Sequence, residues 1–96
     1  MAFQITYNAG VYEINGMLIS ENGNTLKSHI EALMDRSKGI VLSLNKVLEI
    51  DGEAVKSIIS LYEEAWRNDK MFYVIGTKNR KVSEQFSSLN FNDILL

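Results

Sequence analysis

The chain has 96 residues, with 10 Lys+Arg against 12 Asp+Glu, one His, no Cys and no Pro. That length predicts one domain over residues 1–96 with a core of its own. The missing thiols exclude disulfides, thiolate nucleophiles and cysteine-based metal sites. A net charge of −2 argues against the clustered basic face that nucleic acid needs. No apolar run approaches the roughly 20 residues that cross a bilayer, and no basic stretch precedes an apolar one at the N-terminus. The expected setting is therefore cytoplasmic, without membrane insertion.

Residues 3–7 alternate apolar and polar, the period of a half-buried strand. Asn8-Ala9-Gly10 reads as a three-residue turn, and residues 11–15 as a second strand closed by Gly16, which together make a hairpin. Glu21-Asn22-Gly23-Asn24 is turn-rich and predicts a connecting loop over residues 20–24, with Asn22 or Asn24 as N-cap. Leu26, Ile30, Leu33 and Met34 line one face of the helix that follows, until Lys38-Gly39 stops it. Residues 40–44 are short and nearly all apolar, as in a strand covered on both faces. Asn45-Lys46 predicts its break.

Asp51 is a good N-cap for the clearest helix of the chain. Val55, Ile58, Ile59, Tyr62, Ala65 and Trp66 form its apolar stripe, and Glu53, Lys56, Ser57, Ser60, Glu63 and Glu64 its solvated face. Residues 71–75 predict another buried strand, ended by Gly76. Thr77-Lys78-Asn79 can cap a last helix with Val82 and Phe86 turned inward. Leu89-Asn90-Phe91 leaves that helix, and Ile94-Leu95-Leu96 is a short terminal strand or tail. The order is an α/β fold, with a mixed sheet of one hairpin plus parallel strands and about three helices packed on it.

With these elements in place, the chain resembles the STAS domains, which comprise bacterial anti-sigma factor antagonists and cytoplasmic domains of anion transporters. Gly16-Met17-Leu18-Ile19 sits where that family has a Gly-x-Leu-Asp turn. Residues 40–44 match its apolar strand, and Ile50-Asp51-Gly52-Glu53-Ala54 its Asp-Ser-Ser-Gly turn. Val74-Ile75-Gly76 matches its last strand, and Phe86-Ser87-Ser88-Leu89-Asn90-Phe91 its closing segment. The resemblance implies a non-enzymatic interaction module, with no catalytic residue and no cofactor. It implies as partner an anti-sigma factor or serine kinase-type regulator or, alternatively, the ATPase of an ABC-type lipid or anion transport complex, served as an accessory subunit. In the antagonists the first Ser of the turn accepts phosphate from the partner kinase. Gly52 stands there, so the usual phosphorylation site is lost. Ile19 replaces the Asp of the first turn.

The residues implied in partner binding are Asp51, Gly52, Glu53, Lys56 and Ser57, together with Ser20, Glu21 and Asn22. Taken alone, Asp51 and Glu53 are equally an N-cap and an acidic first turn, and residues 20–24 an ordinary loop. Ser57 and Ser60 are alternative phospho-acceptors or plain helix surface. His29 has no partner at metal-ligand spacing, so no metal site is expected. Adjacent Glu63 and Glu64 point different ways and make no catalytic pair. Lys78, Arg80 and Lys81 read as a solvated helix end, and Trp66, Phe72, Tyr73 and Phe86 as packing.

Overall fold

The N-terminal alternation and the apolar runs do become strands, and the two periodic stretches and the capped tail become helices. The computed structural model describes residues 3–96. In order these are β1 (Phe3–Asn8), β2 (Val11–Leu18), α1 (Ser20–Met34), β3 (Gly39–Ile50), α2 (Gly52–Arg67), β4 (Met71–Ile75) and α3 (Arg80–Ser88). The sheet order is β1-β2-β3-β4. β1 and β2 are antiparallel, and β2–β3 and β3–β4 are parallel. The expected mixed sheet and three helices are present. Leu95 adds an isolated parallel bridge to Val74 at the β4 edge.

One face of the sheet supplies Ile14, Leu18, Ile40, Leu42, Leu44, Phe72 and Val74. These pack with Leu26 and Ile30 of α1, with Val55, Ile58 and Leu61 of α2, and with Val82 and Phe86 of α3 in one core. The other face is open, and there Glu13 and Lys46 pair at 3.4 Å. β4 is therefore half-buried rather than covered on both faces: Phe72 and Val74 are buried, while Met71 and Tyr73 are exposed. Trp66, expected in the core, is 71% exposed. Its stripe position is helical, but the neighbouring Ala65 is the last buried residue of α2.

The hairpin loop has two residues, not three. Asn8 pairs with Val11, and Ala9 and Gly10 both adopt positive φ, 52° and 87°. A type I′ turn needs that pair, because its twist matches the strands. Gly16 does not close β2. It sits inside the strand at φ 113°, beside a place where the β2–β3 register shifts.

β3 runs unbroken through Asn45-Lys46. Partners step from Glu13↔Ser43 to Asn15↔Lys46, and from Gly16↔Val47 to Met17↔Glu49. β3 thus takes up an extra residue twice, as bulges rather than as an end. Asn79 explains why the strand survives. Its Nδ2 donates to the carbonyls of Leu44 (3.0 Å), Asn45 (3.2 Å) and Val47 (2.8 Å). Its Oδ1 accepts from the Val82 N–H at 3.3 Å, capping α3.

Candidate functional site

Leu18 and Ile50 are register partners at the ends of two parallel strands, so α1 and α2 begin side by side. The Asp51 N–H donates to the Leu18 carbonyl at 3.1 Å and ties the two starts together. The N-cap of α1 is Ile19, not Asn22 or Asn24, and residues 20–24 are its first turns rather than a loop. Ile19 brings no acceptor. Asp51 supplies one from across the sheet: its Oδ2 accepts from the Ser20 N–H at 2.8 Å and the Ser20 hydroxyl at 3.2 Å. Its Oδ1 accepts from the Ala54 N–H at 2.9 Å. One carboxylate therefore caps two helices, where both dipoles favour negative charge. Burial works to raise its pKa, but the donors of Ala54 and Ser20 outweigh this and hold it below the usual value.

Asn22 completes the corner. Its Oδ1 accepts from the Ile19 N–H at 3.0 Å, and its Nδ2 donates to the Met17 carbonyl at 2.9 Å. Gly23, a turn signal in the sequence, is buried in α1 against α2. A Cβ there would lie 3.0 Å from the Ser57 Oγ and 3.7 Å from the Ala54 Cα. Ser57 is consequently half-buried between the helices, not on a solvated face, and its Oγ donates to the Glu53 carbonyl at 3.3 Å.

Ser20, Glu21, Glu53 and Lys56 are exposed, and Gly52 is half-buried. Glu53 and Lys56 pair at 3.3 Å. All eight candidate residues are thus at one end of the molecule, on the first turns of two helices. α3 joins them, which the sequence reading missed. A Cβ on Gly52 would meet Leu89 Cδ1 at 3.8 Å and Gln85 Oε1 at 4.0 Å, ordinary contact distances. A serine would fit there without strain.

The remaining candidates lie elsewhere. Lys81 pairs with Glu49, and Arg80 pairs with Glu84 at 3.3 Å, which matches a solvated helix end. His29 is exposed. Among the described residues no group of three or more His, Asp or Glu is placed to hold a metal, and no helix is long and apolar enough to cross a membrane.

Glu31 of α1 has the Glu64 carboxyl of α2 as its neighbour. Interaction with the Glu64 side chain, then burial, raise the Glu31 pKa against the pull of Lys27. A carboxyl raised in the fold stabilises while protonated, and that contribution is lost as pH rises through the raised value. Glu64→Gln is expected to raise stability at pH 7 by about 0.2–0.5 kcal/mol, since the pair is partly solvent-screened. Thermal melts at pH 7 and pH 4 check this; the gain should vanish at pH 4.

The family model described as the STAS domain matches residues 1–95. No curated protein sequence gives a significant match. Among solved structures, the chain is similar to the anti-sigma factor antagonist SpoIIAA in its unphosphorylated form. The TM-score is 0.76 at 13% identity, covering 99% of this chain and 86% of the other. It is similar also to the Bacillus cell fate determinant SpoIIAA in its phosphorylated form, with TM-score 0.69, 12% identity, and coverage of 99% and 89%.

Proposed function

The chain belongs to the STAS domain family, and we propose that it acts as a non-enzymatic protein-interaction module, like an anti-sigma factor antagonist. Its partner is an anti-sigma factor or serine kinase-type regulator, and the contact surface is the end where α1 and α2 start. Gly52 carries the reading. It stands half-buried on the first turn of α2 and has no hydroxyl to phosphorylate, so association is not switched off there. Ser57 offers no ready substitute, because a phosphate on its hydroxyl would have to part α1 from α2 at Gly23.

Capture from native cell extract, with the bound protein identified by mass spectrometry, tests this. A regulator with a kinase-type ATP-binding fold is the expected catch, and a transporter ATPase would favour the accessory-subunit reading. Glu53→Lys should weaken capture about tenfold, the scale of a contact in which one charge is reversed. Unchanged capture by the folded variant would move the interface elsewhere. Gly52→Ser should fold normally and take phosphate from that kinase in the presence of ATP. Phosphate on Ser57 of the unaltered chain that abolishes capture would sink the constitutive reading.

A further inference from the structure

The opposite end of α2, about 24 Å from its start at 1.5 Å per residue, carries a second surface with different chemistry. Among the described residues six large apolar side chains stand exposed, and four of them, Trp66, Met71, Tyr73 and Leu96, line one groove. The groove measures about 480 Å³ and is floored by Tyr62 and Phe72. It wraps the edge of β4, so side chains from both faces of the sheet reach it. Exposed apolar surface gathered in one place, rather than scattered, marks an interaction site.

Charge says what kind. Asp69 and Asp93 are exposed at its rim, and neither is in an ion pair among the described residues. The lysine in the lining does not neutralise them. Lys70 Nζ is turned away to the carbonyls of Met34 (2.6 Å) and Ser37 (3.0 Å).

Asp69 also works against the dipole of its helix. It follows the C-cap of α2 at φ 56°, where glycine fits best. It stands just past the negative end of the helix dipole. The turn that holds it is closed by the Lys70 N–H on the Ala65 carbonyl at 2.9 Å and the Asp69 N–H on the Trp66 carbonyl at 3.3 Å. The backbone tolerates aspartate there, but the dipole disfavours an acid, and a cationic partner would favour it.

We propose that this groove binds a segment of a partner protein in which apolar side chains are flanked by lysine or arginine. The apolar residues fill the space between Trp66 and Tyr73, and the cations meet Asp69 and Asp93. This surface is separate from the Asp51 end, so it can be occupied while that end is engaged.

The single Trp of the chain is the reporter. The full chain is titrated with two synthetic peptides, each a Leu-Phe-Leu centre, one flanked by lysines and one by glutamates. The lysine peptide should shift Trp66 emission to the blue and saturate, and the glutamate peptide should bind about tenfold more weakly, as two modest charge pairs imply. Asp69→Gly with Asp93→Asn should erase that preference. Asp69→Gly suits the backbone at this position, so the variant is expected to fold, and a melt at or above that of the unaltered chain verifies it. Equal binding of both peptides, or no saturable shift with either, would overturn the proposal. A blue shift that grows with protein concentration alone would assign the groove to a second copy of the chain and overturn it too.

Discussion

Replacing Asp51 by alanine is expected to destabilise the fold by about 2–4 kcal/mol, at the cost of one N-cap for each of two helices. The same carboxylate serves the Ala54 N–H of α2 and the Ser20 N–H of α1. Asp51→Asn separates the two roles. Its carbonyl oxygen can still cap one helix, but its amide NH2 would face the other helix's N–H, donor against donor. Its loss should be about half that of alanine. The pH dependence has a fixed sign. With the folded pKa below the ordinary 3.8, the stabilisation is complete above the ordinary value and fades as pH falls through the lowered one. Urea denaturation from pH 7 to pH 3 checks both parts. The gap between the native chain and Asp51→Ala should hold constant down to about pH 4 and then close. A constant gap of under about 1 kcal/mol would mean that water replaces the carboxylate at both starts.

Asn79→Ala should cost a similar amount, about 2–4 kcal/mol. It removes the donor shared by three β3 carbonyls and the acceptor that caps α3. Asn79→Asp is the informative control. An aspartate caps a helix as well as asparagine does, so a role limited to capping predicts little loss. Here its second oxygen would be set against the carbonyls of Leu44, Asn45 and Val47, acceptor against acceptors. The aspartate variant is therefore expected to be at least as unstable as the alanine one. Urea midpoints with an unchanged slope provide the measurement.

Both residues show where sequence reading reaches and where it stops. α2 was visible because its period and its cap lie within a few residues of each other. The start of α1 was not, because its acceptor is 31 positions away on Asp51 and its own N-cap is an isoleucine. Asn45-Lys46 is a sound local break signal, but a side chain 34 positions away meets the carbonyls that the bulge releases. Gly23 reads as a turn beside two asparagines, yet it is small because Ser57 and Ala54 lie against it. Trp66 continues a helical stripe whose period cannot say that burial ends at Ala65. The Asp51 turn lies between β3 and α2, as its local cap signal predicts, whereas Leu89 and Gln85 came to Gly52 only through the packing of α3.

β1 has a neighbour on one side only. Its six residues, Phe-Gln-Ile-Thr-Tyr-Asn, include no charge and no proline, the usual devices that stop strands from adding to an open edge. Tyr7 stands 63% exposed on it. In concentrated solution self-association is expected to begin at this strand, and a lysine in place of Thr6 is the conservative way to make the edge unwelcoming to another chain.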